Sequence, residues 1–167
     1  KKKSIKNKTE LNGARKANIR DGVSVTKFLY WLKNNKNINN INETKASERL
    51  FQLRKKNILF FSLAFETISA FGSNAALPHY RVNKKSNKTF NNKNIYLFDS
   101  GAQYFDGTTD ITRTVVFGHA SEKQKEHFTR VLKGHIALAN KKFSNKTRGS
   151  DLDYIARKSL KKINCDY

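Results

Sequence analysis

The chain has 167 residues, with 34 Lys and Arg against 13 Asp and Glu, and a formal net charge of +21. A single Cys excludes a disulfide-stapled mini-protein and a cysteine-built zinc site. The longest apolar stretch, 58–65 and broken by Ser62, is too short to span a bilayer, so no membrane partner is expected. The length suits one ordinary domain. No apolar run follows the basic start, so no signal peptide is expected, and the setting reads as reducing and cytoplasmic. Met is absent even from position 1, which reads as a piece of a longer protein.

The lysines are spread from residues 1–3 through Lys84 and Lys85 to Lys161 and Lys162, and they travel with Asn runs such as NNKNINN (34–40). Lys and Asn share A-rich codons. Genome bias therefore accounts for the excess, and nucleic acid is not the expected partner. A basic surface built for phosphate is the competing reading.

In chain order, Thr9 to Lys33 reads as an amphipathic helix with Leu11, Ala14, Val25, Phe28, Leu29 and Leu32 at near three-four spacing. The Asn-rich segment 34–42 reads as a solvated loop. A second helix is expected over Thr44–Lys56, with Ala46, Leu50 and Leu53 inward and Glu48, Arg49, Arg54 and Lys55 facing water. Residues 58–70 are β-prone, Gly72, Ser73 and Asn74 mark a turn, and Ala75–Val82 suits a short strand. A polar loop, 83–94, leads to two β-rich runs, Ile95–Asp99 and Ile111–Phe117, around the turn pair Asp106–Gly107. Ser121 and Gln124 have capping-box spacing ahead of a helix, and Ser150 and Asp153 repeat it. The order is α+β, with helices on one face of an antiparallel sheet.

Residues 99–114, DSGAQYFDGTTDITRT, hold three carboxylates and no Lys inside a lysine-heavy chain. Carboxylates on adjacent strands suit hard divalent ions such as Mn or Mg. With Asp106–Gly107 as a two-residue turn, Asp110 pairs with Gln103, and Asp99 shares their face. Four residues of strand, roughly 13 Å, then separate the levels of the two carboxylates. A bulge near Gly101 or strong coiling must close that gap if one ion is to be shared.

This stretch resembles the metal-binding hairpin of aminopeptidase P, the Xaa-Pro aminopeptidases of the pita-bread metallopeptidase group. The resemblance implies that Asp99 and Asp110, eleven residues apart, are metal ligands, and that Asp106 is a structural turn residue. It extends over nearly the whole chain. GARKANIRDGVSVTKFLYWL (13–32) and ETKASERLFQLRKK (43–56) resemble the first two helices of the catalytic domain. TISAFGSNAALPHY (67–80) resembles the segment whose His binds substrate in the pocket, which falls on His79, and FTRVLKGHIALA (128–139) resembles the helix after the hairpin.

The resemblance implies that residues 1–167 are the N-terminal half of a pita-bread catalytic domain, an α+β fold lacking its C-terminal half and any N-terminal domains. In the complete family two divalent ions, usually manganese, activate a shared water against the scissile carbonyl, and the N-terminal residue is removed from peptides with proline second. Only two of the five family metal ligands fall within this chain, so the isolated chain is expected to be inactive. The resemblance leaves a homodimer of the complete protein open. Ser73 and Ser144 stand where the family usually has Pro, and Ala75 where it often has Gly. The alternative is a non-catalytic module on the same fold that contacts peptide, histone or nucleic acid through its basic surface.

His119, His127 and His135, spaced by eight, cannot share one metal on a helix. Cys165 reads as a lone thiol. Phe28, Tyr30, Trp31, Phe60, Phe61 and Phe65 read as core.

Overall fold

In the computed structural model, which describes residues 4–167, helix α1 (Lys8–Lys33) opens on a reciprocal cap. Asn7 Oδ1 accepts the Glu10 N–H at 2.9 Å, and Glu10 Oε2 accepts the Asn7 N–H at 2.8 Å. The buried stripe of α1 is Ala17, Asp21, Ser24, Val25, Phe28 and Leu32, so a carboxylate sits on the apolar face. Helix α2 (Glu43–Lys55) starts at the Asn42 cap and buries Glu43, Ala46, Leu50 and Arg54. Arg54 therefore does not face water as its charge suggests. It lies four residues beyond Leu50, on the same helical face.

Six strands follow: β1 (Phe60–Leu63), β2 (Ile68–Phe71), β3 (Ile95–Ser100), β4 (Ala102–Tyr104), β5 (Gly107–Thr108) and β6 (Ile111–Val116). They form two antiparallel three-stranded sheets, β1-β4-β5 and β2-β3-β6. On β3 the side chains of Tyr96, Phe98 and Ser100 are buried, while Ile95, Leu97 and Asp99 on the opposite face are half-buried. The buried face meets Phe28, Leu32 and Leu50 from the helices, together with Phe71, Phe90 and Phe117. Phe28 stands edge-on to Phe98 at 5.2 Å, and Phe71 stacks on Phe90 at 4.7 Å.

Several sequence expectations change. The Asn-rich segment 34–42 contains a 3-10 turn, Ile38–Asn40, and sends Ile38 and Ile41 into the core. Ala75–Val82 is not a strand. A 3-10 turn, Gly72–Ala76, leads into an irregular segment because its polar groups bind the Glu43 carboxylate rather than a neighbouring strand. Tyr30 and Phe61 are largely exposed rather than core.

Residues up to His119 form one compact unit and Ala120–Tyr167 a second. The second is the helix pair α3 (Glu122–Ala139) and α4 (Gly149–Lys161). Ser121 and Gln124 form the expected reciprocal cap. Helix α4 begins earlier than expected, because the Arg148 N–H donates to Asp151, leaving Asp153 to pair with Arg157. Phe128, Val131, Leu132 and Ile136 of α3 remain substantially exposed.

A buried ion pair ties the first unit together. Arg54 Nε and Nη2 donate to the two oxygens of Asp21, each at 2.8 Å, and both side chains are almost fully enclosed. Tyr104 Oη donates to Asp21 Oδ1 at 2.8 Å and Thr109 Oγ1 to Asp21 Oδ2 at 3.0 Å. Burial, and secondarily the bond to Asp21, pushes the Tyr104 hydroxyl's pKa up, so it stays a donor. Nearer the surface, Arg20 makes two 2.8 Å bonds to Asp106 and stands over the Tyr104 ring. Those bonds hold the Asp106 carboxyl below its ordinary value of 3.8.

Replacing Arg54 by Met should lower unfolding free energy by about 3–5 kcal/mol, since it strands a buried carboxylate. Urea unfolding measures this, and a loss below about 1 kcal/mol would refute the assignment. The Asp106 carboxyl's pKa is depressed by folding. Its contribution is therefore present above the unfolded value and is lost as pH falls below it. Arg20→Leu should cost about 0.5–1 kcal/mol near neutral pH, with the gap to the parent chain shrinking as pH drops below about 4. A gap unchanged between pH 7 and pH 2.5 would contradict this.

Candidate metal centre

Asp99 is the fifth residue of β3, the middle strand of its sheet, with Ile68 on one side and Thr112 on the other. Its side chain belongs to the half-buried face, opposite the aromatic core. Asp110 lies between β5 and β6, and its neighbours alternate: Thr109 is buried, Asp110 exposed, Ile111 packed against the core, Thr112 exposed. Asp99, Asp110 and Thr112 thus share one face.

The register differs from the sequence expectation by a consequential step. Tyr104 pairs with Gly107 and Gln103 with Thr108, so the turn is Phe105–Asp106 and not Asp106–Gly107. Ser100 pairs with Ile111 in the other sheet in the same register, so Gly101 and Asp110 stand opposite one another. Asp110 is therefore the diagonal neighbour of Asp99, about 7–8 Å away between Cα atoms. The expected four-residue separation shrinks to two.

Tertiary contacts set that turn. Asp106 is held by Arg20, the Phe105 N–H donates to Leu59 O at 3.0 Å, and Gly107 lies against α1. A Cβ on Gly107 would come within 3.1 Å of the Ala14 Cα and Ala17 Cβ. Its missing side chain thus serves close approach rather than a positive φ. Asp106 is structural, as expected, through its grip on Arg20.

At the junction of the two sheets, Ala102 donates to the Thr109 hydroxyl at 3.1 Å, and the Thr109 N–H donates to Ala102 O at 2.9 Å. A Cβ on Gly101 would lie 2.2 Å from Thr109 O. Among the described residues, three buried side-chain polar atoms have no hydrogen-bond partner: Asp99 Oδ1, Ser100 Oγ and Arg54 Nη1. Two belong to consecutive residues, and the third side chain reaches Ser100 O at 3.5 Å. An orphaned, buried carboxylate oxygen beside a second carboxylate fits a hard cation, for which oxygen is the preferred donor. No three His, Cys, Asp or Glu side chains converge as a metal-holding group among the described residues.

His79 is exposed, at φ 52°, in the segment after the 3-10 turn. Glu43 fixes that segment. Its Oε1 accepts from the Phe71 N–H (2.7 Å) and Asn74 Nδ2 (2.9 Å), and its Oε2 from Tyr80 Oη (2.8 Å) and the Lys88 N–H (3.0 Å). Glu43, Asp21 and Arg54 escaped the sequence reading. The available signal was their place on the apolar stripes: Ala17, Asp21, Ser24 and Glu43, Ala46, Leu50, Arg54. Cys165 is free, with its Sγ 3.9 Å from His127 Nε2.

Gly101→Ala should destabilise the chain by about 1–3 kcal/mol, as an overpacked position does. A urea midpoint equal to that of the parent chain would show that the two strands are farther apart at this junction.

The model of metallopeptidase family M24 matches residues 12–167. A probable Xaa-Pro aminopeptidase P of Paracoccidioides brasiliensis is 46% identical over 168 residues, covering 99% of this chain and 27% of the relative. The Xaa-Pro aminopeptidase ApepP of Drosophila melanogaster is 43% identical, with 99% and 27% covered. Among solved structures, the chain is similar to an X-prolyl aminopeptidase from Caenorhabditis elegans, described as a cytosolic enzyme with a di-nuclear active site. The TM-score is 0.90 at 38% identity, with 99% of this chain and 28% of that one covered. A prolidase from Pyrococcus horikoshii gives a TM-score of 0.80 at 28% identity, with 96% and 43% covered. The chain spans about 27% of the length of the curated relatives it matches. No helix among the described residues is long and apolar enough to cross a membrane. The helices and antiparallel strands follow the pita-bread fold of these neighbours, and the chain belongs to metallopeptidase family M24.

Proposed function

We propose that this chain is the N-terminal half of a pita-bread catalytic domain and supplies one wall of a two-metal centre in an Xaa-Pro aminopeptidase. The observation that carries the reading is the Asp99 carboxylate, with one oxygen buried and unpartnered, and Asp110 diagonal to it on the same face. Asp99 and Asp110 are the residues to hold divalent ions, with manganese as the proposed metal. Ions bound there supply Lewis-acid polarisation of a peptide carbonyl and lower the pKa of water. The chain's own part is to present two oxygen donors on one face of the hairpin.

His79 is the proposed substrate contact. Its backbone is fixed by the Glu43 network, and its exposed ring is free to meet a peptide. The substrate class is a peptide with proline second, the activity named for the aminopeptidase P relatives. The remaining metal ligands and the opposite wall belong to the C-terminal half of the domain. The isolated chain is therefore inactive, because two carboxylates leave each ion largely hydrated and weakly held. A cytoplasmic location and assembly of the complete protein as a homodimer complete the proposal.

Calorimetric titration of chain 1–167 with Mn²⁺ should give weak binding that Asp99→Ala and Asp110→Ala each abolish, while release of the N-terminal residue from an Xaa-Pro peptide stays at background. Equal Mn²⁺ binding by the parent chain and both variants would remove the site assignment, and peptide cleavage by the purified chain would remove the assignment of the other ligands to the C-terminal half.

A further inference from the structure

We infer that the buried Asp21–Arg54 pair holds positioning residues for the Asp99 and Asp110 carboxylates, transmitted through Ser100 and Thr109; this rests on the metal-centre reading above. Each end of the pair touches the residue adjoining one carboxylate. Arg54 Nη2 reaches the carbonyl of Ser100, next to Asp99, at 3.5 Å. Asp21 Oδ2 accepts the hydroxyl of Thr109, next to Asp110, at 3.0 Å.

Thr109 is the sharper link. At the break between β5 and β6 its hydroxyl, not a ladder carbonyl, accepts the Ala102 N–H. That hydroxyl has one proton, and Asp21 takes it at 3.0 Å in preference to the more distant Ala102 O at 3.4 Å. Asp21 thereby fixes the rotamer that joins the two strands beside both carboxylates. The three buried unpartnered atoms sit on this same path, at Arg54, Ser100 and Asp99. A pair serving only to bind helices to one another has no reason to reach these two positions. Outer contacts of this kind orient metal ligands, and their loss typically lowers metal affinity about 10–100-fold.

Tyr104 provides the control, because it gives Asp21 a bond as short as that from Thr109 yet adjoins neither carboxylate. In the full chain, Thr109→Val and Tyr104→Phe should lower the urea midpoint by similar amounts. Only Thr109→Val should weaken Mn²⁺ binding about tenfold or more, and Thr109→Ser, which keeps the hydroxyl, should restore it. Hydrogen exchange of the peptide spanning 97–114, measured without metal, should be faster in Thr109→Val than in Tyr104→Phe. Mn²⁺ affinity unchanged in Thr109→Val, or lowered equally in Tyr104→Phe, overturns the inference. If the parent chain binds no Mn²⁺, the metal-centre reading fails by itself. The exchange experiment then decides the positioning role, which equal rates in the two variants would overturn.

Discussion

Asp21 and Arg54 lie 2.8 Å apart where water is excluded, and neither charge survives there unless most of its hydrogen-bonding capacity is met. Desolvating two ions costs several kcal/mol each, roughly what their attraction returns, so the pair adds little net stability over an apolar substitute. It does impose geometry. The carboxylate of α1 takes two bonds from α2 and one each from β4 and from the residue that follows β5. Four segments must arrive together for all of these bonds to form. The hairpin bearing Asp99 and Asp110 is thus set by a charge that lies outside the hairpin.

A second buried carboxylate works the same way on a different segment. Glu43, fully enclosed at the start of α2, accepts two backbone and two side-chain bonds from residues 71–88. Those residues have little regular structure of their own, and Phe71, Tyr80 and Phe90 pack inward around them. The conformation of His79 follows from this anchoring rather than from any strand. Two negative charges, one per helix, therefore organise the two places where the proposed chemistry resides.

The sheet face that carries Asp99 is mixed. Leu97 and Ile68 are half-buried beside exposed Thr112 and Thr114, and large exposed apolar residues occur elsewhere, Ile58 and Phe105 near the β1-β4-β5 sheet and Phe128 and Ile136 on α3 among them. Family membership and an architecture shared with solved X-prolyl aminopeptidase and prolidase structures support the proposal that these carboxylates are one part of a larger centre.

Local patterning was enough for the helices and for the strands β3 and β6, because near three-four spacing, alternation and capping side chains act over a few residues. Asp99 and Asp110 stood out as carboxylates in a lysine-free stretch, and the residue pattern alone suggested the family. Their mutual placement was not legible. Asp-Gly is a strong local turn signal, yet Arg20, Leu59 and the close approach of Gly107 to α1 move the turn by one residue and the cross-strand partner by two. Nor did charge alone foretell that Asp21, Glu43 and Arg54 are inside, since burial of an ion depends on partners far away in sequence. Sequence fixed which groups the protein has and most of its regular elements. Long-range hydrogen bonding decided which groups meet, because register and buried charge are satisfied only when distant segments have already come together.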